Sequence, residues 1–129
     1  IGSPTMNILP TSRQPTGLGL PNGGHLAVPA GSQIQKVTEL GVRPEHIDIV
    51  TTDDGDLTGV ADVVERLGSD TNIYVQVDGV GSVLVRRSGN LPVKTGDRLG
   101  LHLQRDSIHL FNSGGTRLVH GTALLHKSA

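Results

Sequence analysis

The chain has 129 residues, no cysteine and a formal net charge of -1, from 11 Lys+Arg against 12 Asp+Glu. That is one domain's worth of length, and the missing thiols exclude disulfides, zinc–thiolate centres and cysteine nucleophiles. The near-neutral balance argues against duplex DNA or an anionic membrane as a partner, and no stretch approaches the ~18 apolar residues of a membrane-crossing helix.

Residues 1–10 open on a turn signal and end in a short apolar run. The chain starts on Ile1, inside strand-like text, so it reads as a piece cut from a longer protein. Pro15, Gly17, Gly19, Pro21, Gly23 and Gly24 make residues 11–24 a loop-rich connection. His25-Leu26-Ala27-Val28 is a short strand stopped by Pro29, and Pro29-Ala30-Gly31 turns the chain. Val37–Val42 is read as a strand, although Ile34, Val37 and Leu40 also sit at helical spacing. Pro44-Glu45-His46 is a tight turn, because proline fixes its own φ and pushes Arg43 into extended geometry. Ile47–Val50 is the next strand.

Asp53-Asp54-Gly55-Asp56 is a polar turn. It resembles the start of a calcium loop, but Val64 occupies the twelfth position, where such a loop needs glutamate. Leu57–Leu67 is mostly apolar and β-branched up to Gly68. Thr71–Val77 alternates cleanly, as do Val83–Arg86 and Leu99–Leu103. Successive runs with period two mean half-buried antiparallel strands. Asp78-Gly79 and Lys94-Thr95-Gly96-Asp97 are turns, and Ile108–Phe111 is a last short strand closed by Asn112-Ser113-Gly114-Gly115.

Eighteen glycines, seven prolines and about ten short strands around an aliphatic core predict an all-β fold. The natural form is a small barrel of the oligonucleotide/oligosaccharide-binding (OB) type with a second β module packed on it, because closure removes sheet edges.

Chemistry is sparse. The Gly17–Gly24 stretch lacks the lysine of a phosphate loop. His25, His46, His102, His109, His120 and His126 lie in no nucleophile motif, and only His102 and His109 suggest a pair facing across a hairpin as metal ligands. Tyr74 and Phe111 are the only aromatics and Arg86-Arg87 the only adjacent basic pair, which is too little for a nucleic-acid platform. No catalytic, cofactor or metal residue is assigned. Ser69 and Thr71, beside Gly68 and Asp70, offer a possible cup for a small anion. Phe111 is either the largest core plug or an interface anchor.

Several stretches, in order, carry a resemblance. Ile1–Pro10, Leu40-Gly41-Val42-Arg43-Pro44-Glu45-His46-Ile47, Gly59–Thr71, and Ile108-His109-Leu110-Phe111 with Gly115 and Thr116–Leu118 resemble the C-terminal region of ATP-binding subunits of carbohydrate-importing ABC transporters. That region, in the maltose/glycerol-3-phosphate type, is the transport-associated OB (TOBE) or regulatory domain. Two departures stand out: Asp70 replaces a usual glutamate, and Gln104–Ser107 lacks the Pro-Glu-Arg often found there.

The resemblance implies that residues 1–129 are one TOBE/OB-like regulatory domain, with ATP and magnesium bound only by a nucleotide-binding domain outside this sequence. It implies a non-catalytic dimerisation and regulatory role on the cytoplasmic face of the plasma membrane. The partners would be a second copy, membrane subunits reached through the other domain, and a cytoplasmic regulatory protein. Arg43, Pro44, Glu45, His46, Gly68, Ser69, Asp70 and Thr71 are then structural turns, and Ile108, His109, Leu110 and Phe111 a candidate interface. The alternative is a small-oxyanion module of the molybdate-binding kind.

Overall fold

A computed structural model describes residues 6–28 and 34–119; the side chains of residues 35 and 117–119 are left out of the description. The Pro29-Ala30-Gly31 turn, His120 and His126 lie outside the described residues. Among them the chain is all-β, with twelve strands and five single-turn 3-10 segments and no α-helix. The strands, in chain order, are β1 (Asn7–Pro10), β2 (Ser12–Gln14), β3 (Gly17–Gly19), β4 (His25–Ala27), β5 (Val37–Val42), β6 (Ile47–Val50), β7 (Leu57–Arg66), β8 (Asp70–Val77), β9 (Gly81–Ser88), β10 (Arg98–Leu103), β11 (His109–Asn112) and β12 (Arg117–Val119).

They form three antiparallel sheets. One has order β6-β10-β7-β8-β9 and curls into a half-barrel. A second has order β1-β5-β11-β12, and a third β2-β3-β4. The alternation read from the sequence is the alternation of faces. Ile73, Val75 and Val77 on β8, Val83 and Val85 on β9, and Leu99, Leu101 and Leu103 on β10 are buried. Leu9, Leu40 and Leu110 make one cross-strand row of the four-stranded sheet, and all three are buried. With Leu18 and Leu26 from the small sheet they belong to one aliphatic core. Each such side chain contributes roughly 1.5–3 kcal/mol on burial, so two β modules without disulfides can share this core.

The half-barrel has two edges, β6 and β9, and side chains close the seam between them. Asn7 donates from Nδ2 to the Leu84 carbonyl (2.9 Å) and accepts the Leu84 N–H on Oδ1 (3.0 Å). Its amide thus does for the β9 edge what another strand would do. Arg87 reaches from β9 to the Glu45 and Ile47 carbonyls (3.1 and 3.3 Å) and pairs with Asp48 (3.3 Å). Asn7→Ala leaves both Leu84 groups without these partners. The expected loss is about 1–2 kcal/mol in a denaturant melt, whereas Asn7→Gln, one methylene too long, recovers only part of it.

Residues 11–24 differ from the expectation of loop. They hold β2 and β3, and Gly17 and Gly19 are strand residues pressed by their neighbours, Gly17 by backbone and Gly19 by the Ser12 and Gln14 side chains on β2. A Cβ on Gly17 would overlap the Leu26 carbonyl oxygen on the next strand. Glycine here permits close approach rather than a turn. Val37–Val42 is strand, as read.

Candidate functional site

Arg43-Pro44-Glu45-His46 is the corner where the four-stranded sheet hands over to the half-barrel. Arg43 is extended and Pro44 is buried at the first position of a 3-10 turn. The Arg43 carbonyl accepts the His46 N–H at 3.0 Å. Two neighbours hold the corner: Arg87 on the Glu45 carbonyl, and the Gln104 N–H on the His46 carbonyl (3.0 Å).

Gly68-Ser69-Asp70-Thr71 turns β7 into β8, with Gly68 at φ +84°, a conformation glycine adopts freely. The Ser69 carbonyl accepts the Gly89 N–H (2.7 Å). The fully buried Thr71 donates its hydroxyl to the Gly89 carbonyl (2.7 Å) and accepts the Leu91 N–H (3.5 Å). Arg66 fastens the same loop through Asn90 Oδ1 and the Leu91 and Val93 carbonyls. The Thr71 hydroxyl is therefore engaged within the chain.

The strand Ile108–Phe111 divides by face. Ile108 and Leu110 are buried in the core, so these two of the four candidate interface residues are corrected to core. His109 and Phe111 are half-buried on the opposite face. Phe111 lies over Gly41 beside Met6, since a Cβ on Gly41 would strike both side chains. It is not the central plug. The proposed pairing of His102 with His109 fails for a topological reason: β10 bonds to β6 and β7, whereas β11 bonds to β5 and β12.

Sequence reading missed the one buried ionic cluster among the described residues. Asp56, read as part of a polar turn, has a side chain 2% exposed, and Arg105 is 3% exposed. Arg105 donates from Nη1 to Oδ2 (2.8 Å) and from Nη2 to Oδ1 (2.7 Å), a two-pronged contact. Asp56 Oδ2 also accepts the Leu103 N–H (2.8 Å), and His102 Nδ1 lies 3.3 Å from it. The Asp56 N–H meanwhile bonds the Leu101 carbonyl (2.8 Å). The carboxylate thus continues the β7–β10 ladder by one side-chain rung. Only Asp53 and Asp54 of the acidic turn are exposed.

Burial pushes the Asp56 carboxyl up. The Arg105 hydrogen bond, the Leu103 N–H and the charges of Arg105 and His102 outweigh that and hold it below its ordinary 3.8. The unfolded chain therefore takes up this proton first. The cluster's contribution is complete above about pH 5 and fades as pH falls through and below the ordinary aspartate range. Urea midpoints of wild type and Asp56→Asn, compared at descending pH, are expected to converge. A gap that stays constant down to low pH would contradict the lowered carboxyl.

The charged cluster faces its own partners. A groove of about 310 Å³ between Pro10, Thr11, Ser12, Leu20, Pro21 and Gly79 has no ionisable side chain. No helix among the described residues is long and apolar enough to cross a membrane.

A half-barrel with a second β module, joined at an Arg-Pro-Glu-His corner, defines a TOBE-type domain. The chain belongs to that family: the TOBE domain model matches residues 40–111, and a MalK OB fold domain model matches residues 2–47. Among curated proteins the chain is 37% identical over 123 residues to the sn-glycerol-3-phosphate import ATP-binding protein UgpC of Chromohalobacter salexigens, covering 92% of this chain and 33% of that protein. It is 32% identical over 124 residues to the maltose/maltodextrin import ATP-binding protein MalK of Vibrio parahaemolyticus (89% and 33% covered). It is 34% identical over 125 residues to MalK of Salmonella typhi (90% and 34%). The chain therefore spans about a third of the length of these relatives.

Proposed function

We propose that the chain is the non-catalytic regulatory and dimerisation domain of an ABC importer's ATP-binding subunit, serving uptake of a sugar or a polyol phosphate. The observation that carries this is the match of both β modules to domains of such subunits, over a third of the subunits' length. ATP and magnesium then belong to the other two-thirds, which also meets the membrane subunits. The domain works at the cytoplasmic face by holding two subunits together while their nucleotide sites open and close. The half-buried His109 and Phe111 remain a candidate contact for a regulatory protein. No nucleic acid is involved.

Removing this region from its full-length subunit tests the reading. The shortened subunit is expected to bind ATP still but to lose nucleotide-free pairing. A shortened subunit that pairs as before would overturn the role. For the oxyanion alternative no observation speaks, since the Thr71 hydroxyl is already bonded within the chain.

A further inference from the structure

We infer that the outer face of β7, β8 and β9 is where two copies of this chain meet, packed face to face about a two-fold axis through Tyr74. The inference rests on the dimerisation reading above and adds the surface.

The strands β7, β8 and β9 are antiparallel and in register, so their residues form rows across the sheet. One row is Val63–Tyr74–Leu84 and the next is Glu65–Asn72–Arg86. Val63 is 45% exposed, although it is apolar and two residues from the buried Ala61. Strict alternation would put both on the inner face. A bulge between Ala61 and Val63 reverses the parity and turns Val63 outward, opposite Tyr74. Bulges re-aim side chains in this way at functional surfaces. The row carries the chain's single tyrosine, a residue type enriched at interface centres.

The charges choose the occupant. Glu65 lies at the β7 end of its row and Arg86 at the β9 end. Asn72 lies between them, 6% exposed, and accepts the Arg86 Nε–H at 2.8 Å, which holds the guanidinium on this face. A half-turn about an axis along β8 places β7 of one copy over β9 of the other. Val63 then meets Leu84, Tyr74 meets Tyr74, and Glu65 meets Arg86, twice. A symmetric interface must be self-complementary, and this face is so in both apolar and charged rows.

Because the chain has no cysteine, Tyr74→Cys gives a direct readout. Face-to-face sheets lie about 10 Å apart, so a bismaleimide cross-linker of about that reach is expected to yield a covalent dimer from Tyr74→Cys and none from Ser113→Cys, on the exposed β11–β12 turn. Glu65→Arg is expected to weaken the dimer at least about tenfold in dissociation constant, because like charges then face each other. Adding Arg86→Glu to it should restore pairing, although the Asn72 contact is lost. If wild type pairs while Tyr74→Cys stays monomeric, or the charge swap restores nothing, this face is wrong and the dimerisation reading stands. If wild type does not pair, both fall.

Discussion

Asp56→Ala is expected to lower the unfolding free energy by about 3–5 kcal/mol, because it strands a buried guanidinium. Arg105 would keep a bond to the Leu103 carbonyl and lose both contacts to the carboxylate. Its Nε already has no partner, so the site has little capacity to compensate. A domain of this size has only about 5–15 kcal/mol in total, so the variant should melt at much lower temperature or denaturant. Replacing both partners, as in Asp56→Leu with Arg105→Met, should recover much of the loss, since a well-packed apolar pair avoids desolvating two ions. A single variant within about 1 kcal/mol of wild type would mean that water reaches the pair. The double variant separates the cost of an unpaired charge from the worth of the ion pair itself.

Leu101→Ala has the second large effect. Leu101 is fully buried on β10, which bonds to both β6 and β7 and so joins two parts of the half-barrel. Removing three carbons leaves a cavity that a sheet ladder relaxes into poorly, and the expected loss is about 2–5 kcal/mol. Leu67→Ala is the control. That side chain is 54% exposed, and its removal should change stability by no more than about 0.5 kcal/mol. Equal losses at the two positions in parallel urea titrations would contradict the assigned faces.

These two sites differ in how well the sequence reveals them. Leu99, Leu101 and Leu103 announce a strand and its buried face because side-chain direction repeats every two residues. The same rule separates Ile108 and Leu110 from His109 and Phe111, and grouping all four as an interface overlooked it. Asp56 and Arg105 carry no such signal. Each stands in a short polar stretch that reads as a solvated turn, and they are 49 residues apart. Only the three-dimensional closure of β7 on β10 brings them together. Gly17 and Gly19 mislead in the opposite direction: dense glycine and proline suggest loop, but the glycines admit a neighbouring strand. The bulge that turns Val63 outward is equally silent, since one unpaired residue in β7 leaves composition and spacing unchanged. Two of the four stretches that carried the family resemblance contain the corner at Arg43–His46 and the turn at Gly68–Thr71. Both set backbone geometry, and both are held by bonds to distant residues, Arg87 at the corner and Gly89 at the turn.

The most direct test of an assembling, non-catalytic domain is the sedimentation-equilibrium mass of this chain, without nucleotide, over rising concentration. The mass should climb from that of one chain toward that of two and stop there. A mass that stays at one chain throughout, or that continues upward without closing at two, would contradict a dimerisation role.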